Sequence, residues 1–219
     1  MDKIAVWAFR WAPPFAQGLV RDLRVRWALE EAGHCYESRL IDVEERLGAS
    51  YRSRQPFAMV PAFEADGQAL FESGAIVHRI AADCDALMPT DVQARADVVT
   101  WMFAALNTVE PPLQDLLSMD LVHAAEPWVA LRRPAVVEVV KSRLGALSAW
   151  LDGRDYLLER FTAADILMAS VLRFVRHTEL VAGFPVVDAY LKRCEARPAF
   201  HKALAEQMAD YARNTPLAA

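Results

Sequence analysis

The sequence predicts a small α/β domain followed by a larger all-α domain. Three observations support this division: the first 41 residues read as strand, helix and strand, residues 60–83 read as two short strands and a helix, and the residues after 91 show helical periodicity without any hairpin signal. We therefore expect an N-terminal domain over 1–82, a linker over 83–90 with few periodic apolar residues, and an all-α domain over 91–219.

The first three elements follow from local patterns. The run from Ile4 to Phe9 is apolar and β-prone and ends before Pro13-Pro14, which predicts a buried strand. From Gly18 to Ala32 the apolar residues occupy two sides of a helix, which predicts a helix covered twice, as between a sheet and a second domain; Gly33 suits its C-terminal stop. Cys35 to Ile41 is the second predicted strand.

A hairpin and a helix complete the first domain. After a charged stretch over 42–54, predicted to be a loop with a short helix, Val60-Pro61 opens a strand. Asp66-Gly67 is a dipeptide typical of two-residue hairpin turns, and a helix is predicted from Ser73 to about Asp83. A βαβ unit followed by a β-hairpin and a helix is the arrangement of a thioredoxin-like domain.

The second domain is predicted to contain only helices, several of which have a proline at or near the start. They are expected near 91–120, 134–152, 162–176, 185–195 and 198–211, with Pro127, Pro134, Pro185 and Pro198 at or near starts. The segment from Phe161 to Ile166 has the pattern of a capping box, in which Thr162 caps the helix and Asp165 reaches back to it, flanked by a hydrophobic staple.

Bulk properties exclude several classes of function. The net charge is −5 and the basic residues are dispersed, which argues against binding to nucleic acid. The three cysteines are far apart and the five histidines lack metal-ligand spacing, so we expect no disulfide framework, no metal site and a reducing, cytoplasmic location. No stretch approaches the roughly 20 apolar residues of a membrane span, and the first apolar run is too short for a secretory signal.

Two pairs of residues carry a resemblance to a known family. Val60-Pro61 and Glu72-Ser73, at this spacing and in this order of elements, resemble the glutathione-binding half of glutathione transferases. The run from Leu23 to Gly33 looks like the first helix of many bacterial members, and the Thr162 capping box is familiar from the family's all-α domain. The resemblance covers nearly the whole chain and implies the glutathione transferase architecture.

The resemblance implies a binding role for five residues. Met59, Val60 and Pro61 are expected to lie beside the cysteinyl backbone of glutathione, with Pro61 in the cis form. The Ser73 hydroxyl and the N–H groups of its helix are expected to receive the γ-glutamyl carboxylate, since a helix N-terminus binds anions. Glu72 is expected to face the amine of the same ligand end.

The group that activates the thiol is less clear from the sequence. Many family members use a Tyr, Ser or Cys just after the first strand, but residues 9–22 contain no Tyr, Ser, Thr or Cys. The thiol pKa must fall from about 8.5 for the thiolate to form at neutral pH. The candidates are the backbone N–H groups of the first helix and the side chains of Gln17, Arg10 and Arg21.

Three further residues are candidates for the co-substrate pocket. Trp11 and Phe15, in the loop after the first strand, are expected to form a hydrophobic wall, although packing between domains is an alternative role. In the family the first helix of the all-α domain borders the cleft, so Asn107 is a candidate for a hydrogen bond to glutathione, with exposure to solvent as the alternative.

These features predict a glutathione transferase that joins glutathione to a small hydrophobic electrophile, as a homodimer without a metal cofactor. Two alternatives remain open. A glutathione-dependent disulfide or peroxide reductase tolerates the missing hydroxyl, because a second glutathione can supply the electrons. A non-catalytic binding or interaction protein is also consistent with the missing hydroxyl, but it has little reason to keep Val60-Pro61 and Glu72-Ser73.

Overall fold

The structure is a computed structural model that describes residue 1 and residues 3–216. Contacts divide the chain into two compact units. The first contains Met1–Leu87 together with the C-terminal helix, and the second contains Met88–Arg197, so the chain passes between them inside the predicted linker. The first unit has the thioredoxin-like arrangement and the second is all-α, which confirms the predicted fold class.

The first unit is built on a four-stranded sheet with the order β2-β1-β3-β4. Strand β1 is parallel to β2 and antiparallel to β3, and β3 and β4 form the predicted hairpin. The elements are β1 (Ile4–Phe9), α1 (Asp22–Glu31), β2 (Tyr36–Ile41), a 3₁₀ turn (Glu45–Leu47), α2 (Ala49–Arg52), β3 (Ala62–Ala65), β4 (Gln68–Phe71), α3 (Ser73–Ala81) and, at the end of the chain, α9 (Pro198–Arg213).

Two turns in this unit depend on backbone conformations with positive φ. Asp66 and Gly67 have φ values of 53° and 78°, the combination that a type I′ hairpin turn requires. Gly18 has φ 74°, which no helical residue adopts, so α1 begins at Asp22 and not at Gly18 as predicted. The residues between form turns, with the Leu19 N–H bonded to the Ala16 carbonyl at 2.9 Å.

Helix α1 is buried on more than one side, as its sequence predicted. Its neighbours within this unit are β1, α3 and the C-terminal helix α9. The Trp27 ring of α1 meets the Phe200 ring of α9 edge to face, with 4.8 Å between their centroids. We predicted α9 as part of the all-α domain, but its packing on α1 places it with the first unit.

The second unit consists of helices around the buried helix α7, in which every residue is buried. Its elements are α4 (Val92–Phe103), a π-helical segment (Ala104–Val109), α5 (Glu110–Leu121), α6 (Pro127–Leu151), α7 (Ala163–Leu172), a 3₁₀ turn (Arg173–Val175) and α8 (Pro185–Glu195). The capping box at the start of α7 is present, as predicted: the Thr162 N–H donates to Asp165 at 2.8 Å.

Two predicted helices of this unit differ from the structure, and both differences involve proline. The helix predicted over 91–120 is interrupted by the π-helical segment, because Pro111 and Pro112 have no N–H for the usual helical bonds. Arg143 donates instead to the Thr108 carbonyl, at 3.3 Å. Pro134 was predicted at or near a helix start, but it lies inside α6, which begins at Pro127. Tertiary packing here outweighs the intrinsic cost of proline.

Among the described residues, no helix is both long and apolar enough to cross a membrane.

Candidate functional site

The hairpin register brings the two family-like pairs together. Ala62 of β3 pairs with Phe71 of β4, so Val60-Pro61, just before Ala62, and Glu72-Ser73, just after Phe71, lie at the same end of the hairpin. The Val60–Pro61 peptide bond is cis, as the resemblance implied. The two pairs are separated by ten residues of hairpin in the sequence, yet the pairing of Ala62 with Phe71 brings them to the same end of the hairpin.

The backbone just before Val60, at Ala58 and Met59, is held by two side chains that the sequence analysis did not identify. The Tyr51 hydroxyl donates to the Met59 carbonyl at 2.6 Å, and the Arg46 guanidinium donates to the Ala58 carbonyl at 2.8 Å. Burial raises the pKa of Tyr51, which keeps this hydroxyl a donor. The backbone on which the predicted binding residues lie is therefore fixed from one side, while the Met59 side chain is 45% exposed.

The N-terminus of α3 is built in an unusual way. Glu72 is its N-cap residue and adopts φ 69° and ψ 113°, a conformation that residues with a side chain rarely adopt. Its side chain is exposed and makes no capping hydrogen bond among the described residues. The first N–H groups of α3 are therefore not satisfied by the N-cap side chain, and a helix N-terminus attracts anions.

A buried cation lies behind this helix start. The Ser73 hydroxyl, in a residue that is only 5% exposed, accepts a hydrogen bond of 3.2 Å from the Arg24 guanidinium of α1. Arg24 itself is 2% exposed. A positive charge that is shielded from water acts over a longer range than an exposed one. Arg24 and the dipole of α3 thus make the surroundings of Ser73 favourable for a carboxylate.

Sequence reasoning missed Arg24, although a signal was present. An arginine one position after Leu23 and three before Trp27 lies between apolar residues of a helix predicted to be covered on two sides. Buried arginines need a partner, and the nearest candidates would have been polar groups of other elements. Nothing in the local pattern points to Ser73, which is 49 residues away.

The three candidates for thiol activation are placed differently. The Gln17 amide donates to the Ala12 carbonyl at 2.9 Å, within its own loop. Arg10 forms an ion pair with Asp42 at 3.0 Å and donates to the Leu40 carbonyl, so it lies over the end of β2. Arg21 is the N-cap residue of α1. The structure thus leaves Arg21 as the candidate that sits at a helix N-terminus.

The candidates for the co-substrate pocket belong to different units. Trp11 is half-buried and Phe15 is 41% exposed, both in the loop between β1 and α1. Asn107 is exposed in the π-helical segment of the second unit. The described residues contain no group of three or more His, Cys, Asp or Glu side chains arranged to hold a metal ion.

Comparison with known proteins agrees with this fold. The sequence pattern of the glutathione S-transferase N-terminal domain matches residues 17–82, and that of the glutathione S-transferase C-terminal domain matches residues 132–198. Glutathione S-transferase A1 of Mus musculus is 30% identical over 190 residues, which cover 82% of this chain and 81% of that protein.

Two further relatives are informative. Elongation factor 1-gamma of Homo sapiens is 30% identical over 159 residues, which cover 69% of this chain and 35% of that protein. A glutathione transferase of Burkholderia graminis, crystallised with two glutathione molecules bound per subunit, has 27% identity and a TM-score of 0.80, with 93% of this chain and 88% of that chain covered.

A thioredoxin-like unit with a cis proline at the end of its hairpin that also leads into α3, joined to an all-α unit, is the fold that this chain shares with the solved glutathione transferase of Burkholderia graminis. Its sequence and its structural neighbours identify the family: the chain belongs to the glutathione S-transferases.

Proposed function

We propose that this protein is a glutathione transferase that joins the thiol of glutathione to a small hydrophobic electrophile. The observation that carries the proposal is that Val60-Pro61 and Glu72-Ser73 lie at the same end of the hairpin, where the buried Arg24 donates to the Ser73 hydroxyl. Backbone beside Val60 suits the cysteinyl part of the tripeptide, and the start of α3 suits the γ-glutamyl carboxylate. The glutathione found in the Burkholderia graminis relative supports the same ligand.

The thiolate is stabilised, in this proposal, by the N-terminus of α1. Without a hydroxyl in residues 9–22, the cation of Arg21 and the N–H groups of the first turn are the remaining anion-stabilising groups. The acidic residue in that turn, Asp22, is ion-paired with Arg26 at 2.8 Å, which reduces its repulsion of an anion. Gln17 and Arg10 are the other two candidates; the Gln17 amide donates to the Ala12 carbonyl, and Arg10 donates to Asp42.

The protein's other contribution to the reaction is positioning. Holding a thiolate and an electrophile in contact converts a bimolecular step into an effectively unimolecular one. Trp11 and Phe15 are the proposed apolar surface for the electrophile. We expect the active form to be a cytoplasmic homodimer without a bound metal, as the family resemblance implies.

A binding-only role is the second candidate, and one observation favours it. The missing hydroxyl removes the group on which many members rely, and one relative of this chain is named as an elongation factor and not as a transferase. Reduction of disulfides or peroxides is the other enzymatic alternative. In that reaction one glutathione thiolate breaks the O–O or S–S bond of the substrate, which releases an alcohol or a thiol and leaves a glutathione sulfenic acid or a mixed disulfide. The thiol of a second glutathione then displaces water or the remaining thiol, giving glutathione disulfide.

Steady-state kinetics with reduced glutathione separate the three possibilities. Conjugation to chlorodinitrobenzene, followed by the absorbance of the thioether, supports the transferase. Turnover of cumene hydroperoxide or of a mixed disulfide, without conjugation, points to the reductase. Glutathione binding without either turnover points to the binding role. In the transferase case Ser73→Ala lowers kcat/KM at limiting glutathione, whereas Ser170→Ala, another buried serine, leaves it unchanged.

A further inference from the structure

The C-terminal helix α9 carries polar side chains into a buried surface. Gln207 is fully buried and Asp210 is 4% exposed, although helix faces that pack against another helix are normally apolar. Both side chains contact α1: the Gln207 amide donates to the Asp22 carboxylate, and the Asp210 carboxylate forms an ion pair with the Arg26 guanidinium at 2.7 Å. Buried polar groups of this kind are maintained only when their partners are well placed.

Gln207 bonds three points of the chain that leads into α1. Its side-chain carbonyl accepts from the Gly18 N–H at 3.2 Å. Its amide donates to the Val20 carbonyl at 3.3 Å and to the Asp22 carboxylate at 2.8 Å. These three contacts lie on both sides of Arg21, so one side chain fixes the backbone on which the proposed thiol-activating residue stands.

The chemistry of these contacts requires a primary amide. The Gly18 N–H needs an acceptor, whereas the Val20 carbonyl and the Asp22 carboxylate need donors. A glutamate in place of Gln207 lacks the donors, a lysine lacks the acceptor, and a methionine of similar shape has neither. Burial raises the pKa of Asp22, and the bonds from Arg26 and Gln207 oppose that rise, so the amide also helps to keep the carboxylate charged.

The segment from Gly18 to Asp22, which Gln207 holds, lies beside the residues proposed to bind glutathione. Val20 packs with Phe9 against the buried cluster that contains Val60, Ala62 and Tyr51. The loop that Gln207 holds therefore contacts the strand entry at which the cysteinyl part of glutathione is proposed to bind. A shift of this loop would change the distance between the start of α1 and the thiol.

We propose that Gln207 is a positioning residue for thiol activation. It acts through Gly18, Val20 and Asp22 and does not touch glutathione itself. By fixing these residues it aims the first N–H groups of α1 and the Arg21 cation at the bound thiol. The inference rests on the proposed function. It assigns to α9 an indirect role in lowering the thiol pKa.

The test is a pH titration of the ultraviolet absorbance of thiolate in the glutathione complex, for the full-length protein and two variants. Gln207→Met should raise the midpoint by about half a pH unit or more, because the helix terminus and the cation lose their alignment. Glutathione affinity at a pH well below that midpoint should stay within about twofold, since the Arg24–Ser73 contact is untouched. Hydrogen exchange at the Gly18 amide should accelerate about tenfold or more.

Glu206→Gln is the matched control. Glu206 is adjacent to Gln207 in α9 but accepts its hydrogen bond from Tyr36 of β2; the glutamine keeps an acceptor for this bond and loses the charge, so the substitution weakens the attachment of the helix at another place. It should leave both the midpoint and the Gly18 exchange unchanged. If Gln207→Met does not fold, Gln207→Glu replaces it: the acceptor is kept and the donors are lost, and the midpoint should rise at least as much.

The outcomes separate the inference from the proposed function. If the unaltered protein binds no glutathione, both fail. If it binds glutathione with a lowered thiol pKa and the Gln207 variants leave that pKa in place, the positioning role is overturned and the transferase proposal stands. An equal rise in the Glu206→Gln control also overturns it, since the effect would then come from general loosening of α9.

Discussion

The N-termini of α3 and α7 differ in how their backbone N–H groups are capped. Each helix begins with N–H groups that have no partner within the helix. At α7, Asp165 is fully buried and accepts from the Thr162 N–H, the Leu157 N–H and the Tyr190 hydroxyl, at 2.8, 3.0 and 3.0 Å. At α3 the N-cap residue Glu72 is exposed, strained and makes no capping bond among the described residues.

The difference separates a structural helix start from one suited to a ligand. The α7 terminus is satisfied by the chain itself, and its acid stabilises a buried core. The α3 terminus begins after an exposed N-cap residue that makes no capping bond among the described residues, and the Ser73 hydroxyl accepts a hydrogen bond from the buried Arg24. A terminus whose N–H groups are already capped offers fewer donors to a carboxylate, so the proposed binding depends on the lack of a side-chain cap at α3.

The largest expected effect is at the structural terminus. Asp165→Ala removes the acceptor of four buried donors, the Leu157 and Thr162 N–H groups and the Thr162 and Tyr190 hydroxyls, and should lower the free energy of unfolding by about 3 kcal/mol or more. Urea denaturation measures the change. Asp91→Ala is the control, because Asp91 caps α4 at 2.9 Å on an exposed surface and should cost only about 1 kcal/mol. Equal costs at the two sites would refute the role of burial.

At the binding terminus the main effect should be on affinity. Ser73→Ala removes the hydroxyl that Arg24 holds and should weaken glutathione binding about tenfold, the value of one hydrogen bond to a charged group. The control is Ser170→Ala in α7, a serine of similar burial that donates to the Ile166 carbonyl at 2.7 Å. Calorimetric titration of both variants checks the prediction; an unchanged affinity in Ser73→Ala dismisses this site.

Thr162→Ala tests the structural terminus without removing its acid. The substitution deletes the hydroxyl of the capping box and should cost about 1 kcal/mol of unfolding free energy. Glutathione affinity should not change, because the residue serves only the helix that it caps. Thermal unfolding and a glutathione titration on the same preparation give the two values, and a loss of affinity at unchanged stability would contradict the division proposed here.

The last prediction concerns a substitution that should increase stability. Glu72→Gly relieves the backbone strain at φ 69° and should raise the free energy of unfolding by about 1 kcal/mol, while affinity for glutathione falls because the carboxylate is lost. Glu72→Ala keeps the strain and loses the same carboxylate, so it should bind as weakly without the gain in stability. A stability gain of equal size in both variants would show that strain at this residue is not the cause.

Most of the fold, and the cis form of the Val60–Pro61 bond, could be predicted because their signals are local. The Asp66-Gly67 turn, the Thr162 box and the pairs at 60–61 and 72–73 each occupy a few consecutive residues. The missed features depend on residues far apart: Gln207 and Gly18 are 189 positions apart, and Arg24 and Ser73 are 49 apart.

Some of the missed features left a weaker signal. Residues 200, 203, 207 and 210 follow helical spacing, so a Gln and an Asp on the same stripe as Phe200 and Ala203 point to a buried polar contact. The partner of that contact is set by the tertiary fold and has no local pattern. The start of α6 was misplaced for a different reason, since Pro134 has a strong local preference that packing overrides.

Calorimetric titration of the purified protein with reduced glutathione near neutral pH tests the central claim most directly. The account predicts saturable binding with one site per chain, with an affinity about tenfold weaker in Ser73→Ala. An absence of heat and of binding up to millimolar concentrations would contradict it, and would mean that the α3 terminus serves no glutathione.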